Sequence, residues 1–270
     1  MSTPSGEGSA KIEFDARAAK AVEAMYLTPD VVGQRVSVLH ALALLPGERV
    51  LDIGTGPGLL AEDIAKLVGR DGHVRGLDVS DAMVTAARTR CAALPQASFA
   101  VCPATKLEAE SGVYDAAIAT QVFEYVDDVD LALKELYRTL RPGGRALVLD
   151  TDWDSLVWHS SDRARMRRVL NCWDDHLADP HLPTTLAGRL RRVGFQLTRV
   201  EVVPLLSVGF QPHSYAGGML KAIHGFVRQH GEAHGLASAE IQAWYDDQLR
   251  LAEKNAFFFS VNRYLFLAVK

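Results

Sequence analysis

The chain has 270 residues, of which 48% are hydrophobic and 23% charged, so it can bury the core of one large domain. Its formal net charge of -4 argues against a nucleic-acid partner, because nucleic-acid-binding domains usually carry a basic surface. No apolar run is long enough for a membrane span, and the 3 cysteines show no Cys-x-x-Cys spacing, which favours a reducing, cytoplasmic environment.

The chain begins with two predicted helices. Residues 12–27 have a helical apolar pattern, and a second helix is predicted to run through Leu45 to the stop at residues 46–47. Thr28 is the expected N-cap of the second helix, because Pro29 suits the first helical position. Tyr26 lies at the break between the two helices.

A short apolar run, residues 50–53, is followed by three alternating glycines, Gly54, Gly56 and Gly58, and then by an amphipathic segment, residues 59–68. This pattern predicts a buried strand, a tight turn and a helix. Glycines at such a turn let the backbone N–H groups approach a ligand closely. The loop is therefore a predicted cradle for a nucleotide or a carboxylate.

The spacing of the glycines narrows the type of ligand. The dinucleotide fingerprint G-x-G-x-x-G needs a third small residue where Leu59 stands, and a Gly-Lys-Ser/Thr phosphate loop is absent. The motif that remains is D-x-G-x-G-x-G, beginning at Asp52. A second strand, residues 73–78, ends in Asp78, and an acid there can accept hydrogen bonds from both hydroxyls of a ribose. Ser80 is the expected N-cap of the next helix.

The later strands and helices follow from alternating and helical apolar patterns. Strands are predicted over residues 97–102, 114–120, 145–150, 195–203 and 257–269, and helices over residues 128–140, 162–177 and 186–193. Two further helical segments, 214–230 and 238–256, are longer than the connection between the last two strands requires. We interpret this insertion as a lid or substrate cap.

Four motifs lie in order between residues 48 and 152: the loop 52–58, the strand ending in Asp78, the strand 114–120 with its polar and aromatic turn, and R-P-G-G at 141–144 before a strand. Together they resemble the class I S-adenosylmethionine-dependent methyltransferases, in particular small-molecule enzymes of the ubiquinone/menaquinone type. The resemblance implies an α/β fold with a doubly wound, Rossmann-like, seven-stranded and mostly parallel sheet, whose last strand is antiparallel beside the sixth. We expect one domain, 1–270, with covering helices at 10–45, a cofactor-binding core at 48–152 and a helical cap insertion at 212–256.

The resemblance also implies where S-adenosyl-L-methionine binds. The loop backbone would pass the methionine part of the cofactor, Asp52 would organise its ammonium group and Asp78 its ribose. The chain departs from the family at Pro103, where many members place an acid that accepts from the adenine amino group. The predicted cofactor-binding residues are Asp52, Gly54, Thr55, Gly56, Gly58, Asp78, Val79, Ala104, Thr105 and Gln121.

The acceptor site is expected at the carboxyl ends of the strands. A base is needed only if the acceptor loses a proton, and the candidates are Glu124, His224 and Tyr26. Aromatic residues that could line an apolar pocket are Phe123, Tyr125, Trp153 and Trp158. No metal site is predicted, because glycines interrupt the helix that carries His230 and His234.

These features predict methyl transfer to a small apolar or aromatic metabolite, by C- or N-methylation of an indole-, quinone- or amine-like acceptor. The expected partner is a small-molecule substrate, with no nucleic acid and no membrane span, and the oligomeric state stays open. Two alternatives remain: a cofactor-binding module without transferase activity, and an NAD-dependent oxidoreductase, which Leu59 disfavours.

Overall fold

The computed structural model describes residues 16–270, so the start of the predicted helix at Ile12 and the polar residues before it lie outside the described part of the chain. Seven strands form one sheet in the order β3-β2-β1-β4-β5-β7-β6. The strands are β1 (Arg49–Ile53), β2 (His73–Asp78), β3 (Ala97–Val101), β4 (Tyr114–Thr120), β5 (Leu140–Trp158), β6 (Gln196–Val208) and β7 (Phe258–Val269). β7 pairs antiparallel with β5 and β6, whereas the other neighbours pair in parallel. The predicted fold class is confirmed.

Helices flank this sheet and cover one end of it. They are α1 (Ala16–Tyr26), α2 (Pro29–Leu42), α3 (Leu59–Val68), α4 (Asp81–Arg90), α5 (Val129–Thr139), α6 (Arg163–Asp174), α7 (Leu182–Val193), α8 (Tyr215–His230) and α9 (Ser238–Glu253). Short 3₁₀ turns occupy Phe123–Tyr125 and Gly231–His234. Among residues 16–270, no helix combines the length and apolar character that crossing a membrane requires.

Both predicted N-cap residues are confirmed. The Ser80 hydroxyl accepts from the Met83 N–H at 3.3 Å at the start of α4. Thr28 is the N-cap residue of α2 and Pro29 begins that helix, but the Thr28 hydroxyl donates to the Met25 carbonyl at 2.7 Å and makes no side-chain cap. α2 also ends at Leu42, three residues early, because Ala43 adopts a left-handed φ of 46°.

Three apolar clusters fill the space around the sheet. α2, α3 and α4 cover one face through residues such as Leu42, Ile64 and Val84. α5 and α7 cover the other face. A third cluster joins α6, α8 and α9 to the ends of β5 and β7, and it buries the predicted apolar stripe of α8: Met219, Leu220, Ile223, Phe226 and Val227. The segment between β6 and β7 is therefore packed against the extended end of β5 and against β6 and β7.

β5 is much longer than the predicted residues 145–150. It continues past the rim of the parallel strands and resumes its pairing with β7 after an irregularity between Asp152 and Val157. This extension carries Trp153 and Trp158 towards α6, α8 and α9, where both indoles are buried.

Candidate active site

The three glycines after β1 have left-handed φ values of 66°, 54° and 80°, but their surroundings differ. A Cβ atom on Gly54 would lie 2.2 Å from Val122 Cγ2, and one on Gly58 would lie 2.9 Å from Ala87 Cβ. These two glycines are required by packing within the protein. No heavy atom of the described structure lies within 4 Å of a Cβ built on Gly56, so this glycine faces open space that a ligand can fill.

Asp52 and Thr55 form a buried pair beneath the loop. The Thr55 hydroxyl donates to Asp52 Oδ2 at 2.7 Å, and both residues are almost fully buried. Burial raises the pKa of Asp52 to about 7, although the Thr55 hydrogen bond acts in the opposite direction. A cationic group at this carboxyl would restore its ionised form.

Asp78 connects the end of β2 to the glycine loop. Its Oδ2 accepts from the Gly56 N–H and its Oδ1 from the Ser80 N–H, both at 2.9 Å. Burial raises the pKa of Asp78, and these backbone hydrogen bonds oppose that rise. The two N–H groups hold the carboxylate in one orientation, and each oxygen keeps a second lone pair for a hydroxyl donor.

The turn predicted to contact adenine begins beside Asp78. The Cys102 N–H donates to the Asp78 carbonyl at 2.8 Å, and the turn closes with a 3.1 Å hydrogen bond from the Lys106 N–H to the Pro103 carbonyl. Ala104 and Thr105 are half-buried in this turn. Val79, directly after Asp78, is 70% exposed.

Gln121 directly follows β4. Its φ of 58° is a strained backbone conformation for a residue other than glycine. Its side-chain Oε1 accepts from the Thr151 hydroxyl at 2.7 Å, and its N–H donates to the Leu149 carbonyl at 2.7 Å. These bonds fix the start of the turn that carries Glu124.

Glu124 lies in a buried acidic pair at the strand ends. Its side chain is 1% exposed and accepts from Trp153 Nε1 at 3.2 Å. Burial raises the pKa of Glu124 to about 7, against the lowering effect of Arg263. Asp150, within the neighbouring strand β5, accepts from the Val122 N–H at 2.9 Å, and burial together with the Glu124 charge raises the pKa of its carboxyl. Both acids are therefore buried, and burial raises the pKa of each.

Arg263 is the central residue of this region that the sequence analysis missed. It lies opposite Thr151 in the β5–β7 pairing and is 1% exposed. Its guanidinium donates to the Tyr215 hydroxyl at 2.9 Å, to the Thr151 hydroxyl at 3.3 Å and to Gln34. The signal was present in β7, because Arg263 continues the buried alternation of Phe259 and Val261.

Tyr26 lies near two of the acids described above, Asp78 at the end of β2 and Glu124. Burial raises the pKa of its hydroxyl to about 12, and the charges of Arg263, Glu124 and Asp78 all act on it. The Tyr26 carbonyl accepts from Arg35 Nη1 at 2.7 Å, which fixes the break between α1 and α2. The structure therefore brings Tyr26 and Glu124 into one region.

His224, the third candidate base, has its described interactions with Tyr245, Arg228 and Asp246, and none of them involves Glu124 or Tyr26. Its ring stacks on Tyr245 of α9, with ring centroids 4.1 Å apart. Burial lowers the pKa of His224, as does Arg228, while Asp246 raises it. The helical pattern placed His224 at the edge of the apolar stripe, but α9 covers that edge.

The four aromatic residues predicted to line the acceptor pocket lie in different places. Trp153 and Tyr125 lie near Glu124, with Trp153 bonded to its carboxyl. Trp158 packs instead among Trp244, Phe257 and Phe259. Phe123 is fully buried in the cluster beneath α5 and α7.

Three possible metal ligands come close together near the extended part of β5. His181 Nδ1 lies 3.5 Å from Asp152 Oδ1 and 3.4 Å from Asp154 Oδ2. Each residue offers one ligand atom, and these atoms lie within 4.8 Å of one another. The sequence analysis did not single out this group, since its members come from separate segments.

Residues 50–144 match the family model of a methyltransferase domain. This core belongs to the class I S-adenosylmethionine-dependent methyltransferases. The predicted family is confirmed by that match together with the seven-stranded sheet.

Relatives of this chain share part of their length with it. An uncharacterized 37.1 kDa protein in transposon TN4556 of Streptomyces fradiae is 37% identical over 176 residues, 63% of this chain and 49% of that protein. The ubiquinone/menaquinone biosynthesis C-methyltransferase UbiE of Vibrio cholerae is 32% identical over 108 residues, 39% of this chain and 42% of that enzyme. The chain thus spans about half the length of the curated relatives it matches.

Solved structures share the fold of this chain. A putative methyltransferase from Bacillus halodurans has a TM-score of 0.63 at 15% identity, over 88% of this chain and 99% of that one. Haemonchus contortus phosphoethanolamine N-methyltransferase 2, in complex with S-adenosyl-L-methionine, has a TM-score of 0.61 at 20% identity, over 95% of this chain and 57% of that one. The TM-scores show a common fold, and at identities this low the likeness shows the fold alone.

Proposed function

We propose that this protein transfers a methyl group from S-adenosyl-L-methionine to a small apolar or aromatic acceptor. The observation that carries the proposal is the arrangement around Gly56. Its Cβ position is open, its N–H fixes Asp78, and Asp52 lies buried below the same loop. This arrangement suits a ligand that combines an amino acid with a ribose.

The residues of the loop fit the cofactor group by group. The backbone at Gly56 would lie along the methionine part, and the Asp52–Thr55 pair would favour its ammonium group. Asp78 would accept the ribose hydroxyls, and the turn at Ala104 and Thr105 would flank adenine. When bound, the cofactor supplies a methyl group on a positively charged sulfur.

The acceptor would bind beyond Glu124, beneath the cap insertion at 212–256. α8 and α9 bury their apolar faces against the extended β5 and against β7 there. The same insertion matches no cofactor motif, so we assign substrate choice to it. Holding the acceptor in line with the methyl group in a dry site is the main source of acceleration for such a displacement.

If the acceptor loses a proton, Glu124 is the better base of the two remaining candidates. Its pKa of about 7 keeps a useful ionised fraction near neutral pH. The Tyr26 hydroxyl, with a pKa of about 12, remains protonated there and would act as a hydrogen-bond donor. We withdraw His224 from this role because its ring stacks on Tyr245 of α9.

N-methylation of an amine is the second candidate reaction. The charge of Glu124 acts on three tyrosine hydroxyls, those of Tyr26, Tyr125 and Tyr215. A buried carboxyl among aromatic rings is a suitable site for an organic cation. The positive charge of Arg263 disfavours a cation at this place, so a neutral amine is the better form of such a substrate.

The test is incubation with cofactor carrying a radiolabelled methyl group and separate indole, quinone and amine acceptors. We expect label in one acceptor class, with S-adenosylhomocysteine formed in equal amount. Tight cofactor binding with no transfer to any member of the panel would favour the alternative of a binding module without transferase activity.

We also propose that the protein works on free small molecules in the cytoplasm and does not bind nucleic acid. The net charge of -4 supports the absence of nucleic-acid binding. The cytoplasmic location is supported by three buried cysteines that form no disulfide: Cys91, Cys102 and Cys172. Gel-shift and fractionation experiments test these two points.

A further inference from the structure

A buried histidine near the acceptor region has a ring nitrogen without a partner. His176, just after α6, is 1% exposed. Its Nδ1 contacts the Trp173 carbonyl oxygen. Its Nε2 is buried and forms no hydrogen bond with any described residue. Buried polar atoms are nearly always hydrogen-bonded, so this nitrogen calls for an explanation.

The contact at Nδ1 determines the chemical state of Nε2. A carbonyl oxygen can only accept, so Nδ1 must carry the hydrogen and donate it. In the neutral ring, Nε2 then presents a lone pair and acts as an acceptor. Burial lowers the pKa of His176 to about 4, so the ring stays neutral at physiological pH.

Aromatic rings surround this imidazole. Trp173 lies against it, with ring centroids 3.7 Å apart and planes tilted by 30°. Trp153, Tyr125 and Phe226 present edge-on contacts at 5.7, 5.9 and 5.9 Å. The four rings come from β5, the turn after β4, α6 and α8, so the sheet and the cap both contribute.

The aromatic rings around His176 also border Glu124. Trp153 contacts the imidazole with its ring and donates its N–H to the Glu124 carboxyl at 3.2 Å. The Glu124 carbonyl accepts from the N–H groups of Ala178 and Asp179 at 2.8 and 3.1 Å. The segment that directly follows His176 is therefore held by backbone hydrogen bonds to Glu124.

We propose that His176 Nε2 is the hydrogen-bond acceptor that orients the methyl acceptor, and that the acceptor is therefore an aromatic molecule with a hydroxyl or N–H donor. This inference rests on the proposed methyl-transfer function and specifies its substrate. The rings of Trp153 and Tyr125 contact the flat part of the molecule, while Nε2 distinguishes a donor-bearing ring from the same ring without a donor.

The experiment compares 2-naphthol with naphthalene, which is the same ring without the hydroxyl donor. Both are titrated calorimetrically into protein saturated with S-adenosylhomocysteine. We expect 2-naphthol to bind about 5- to 30-fold more tightly, the range for one buried hydrogen bond. His176→Phe, which keeps a ring but has no acceptor, should remove the preference, whereas His176→Gln, which keeps an acceptor, should retain part of it.

Thermal unfolding and the affinity for S-adenosylhomocysteine control for the fold of both variants. Equal affinities in the parent protein, a preference that survives in His176→Phe, or failure of both probes to bind would each overturn the inference while leaving the methyltransferase function intact. Failure of the parent protein to bind S-adenosylhomocysteine would instead overturn the proposed function itself.

Discussion

The backbone N–H of Gly56 donates to Asp78 Oδ2 at 2.9 Å, so the glycine loop after β1 and the acid at the end of β2 form one unit. Since Gly56 is also the loop glycine with open space at its Cβ position, the same residue fixes a polar group and borders the proposed ligand. The parallel pairing of β1 with β2 makes this possible, because it places both strand ends at one edge of the sheet.

The first prediction concerns Gly56→Val. The β-branched side chain would enter the open space, so we expect loss of S-adenosylmethionine binding, measured by calorimetry, in a protein that still folds. The left-handed φ of 54° adds a backbone cost of about 1–2 kcal/mol. Gly47→Val is the matched control, because Gly47 has a φ of 86°, an open Cβ position and a place in the turn before β1. Unchanged affinity in folded Gly56→Val would remove this part of the loop from the site.

The second prediction concerns Asp78→Ala. Loss of hydrogen bonds from ribose to a charged group should weaken S-adenosylhomocysteine binding by about 1.5–3 kcal/mol. The 2'-deoxy analogue is the control, since it lacks one of the two hydroxyls and should lose less affinity. Equal losses for both ligands would mean that Asp78 acts only by shaping the loop through Gly56 and Ser80.

The third prediction is a pH dependence of cofactor affinity. Burial raises the pKa of Asp52 to about 7, and the ammonium group of the cofactor favours the ionised carboxylate. Affinity should therefore rise by about tenfold between pH 6 and pH 8, as expected for one proton released near pH 7. Asp52→Asn should flatten this rise. A rise of the same size in Asp52→Asn would assign the titration to another group.

The fourth prediction concerns folding stability and Glu124. In the folded protein its pKa is about 7, against 4.5 in the unfolded chain, so its favourable contribution is complete below pH 4.5 and is lost as pH rises towards 7. Glu124→Gln should remove this loss and be about 2–4 kcal/mol more stable than the parent above pH 7, relative to their difference at pH 4.5. Denaturant titrations at the two pH values measure this. Parallel stability curves would show that Glu124 is not buried as described.

The fifth prediction concerns His224→Ala. Since His224 stacks on Tyr245 and lies apart from Glu124, turnover should not change. Loss of a general base typically lowers the rate by about 10²–10⁴-fold. A decrease of that size, with cofactor affinity unchanged, would return His224 to the catalytic site and contradict the position of α8.

The sequence predicted the sheet and the glycine turn between β1 and α3 well, because local rules determine both. Glycine spacing, strand-terminal acids and the N-cap at Ser80 each depend on a few neighbouring residues. The end of α2 was less predictable: its helical pattern continues to Leu45, but the chain turns at Ala43.

The region around Glu124 and Arg263 was harder to predict, because its members meet only through tertiary packing. Arg263, Tyr215 and Gln34 are far apart in sequence, and the hydrogen bonds among them depend on how β7, α8 and α2 pack. His176 lies just after α6 without a motif around it. His224 has the right residue type in the cap, but its partner Tyr245 comes from a helix whose packing the apolar pattern alone does not determine.

The most direct test of the account is equilibrium binding of S-adenosylmethionine and NAD to the same protein preparation. We predict saturable one-to-one binding of S-adenosylmethionine, competition by S-adenosylhomocysteine and no measurable binding of NAD, because Leu59 occupies the position of the third glycine in the dinucleotide fingerprint. Binding of NAD in preference to S-adenosylmethionine would contradict the account.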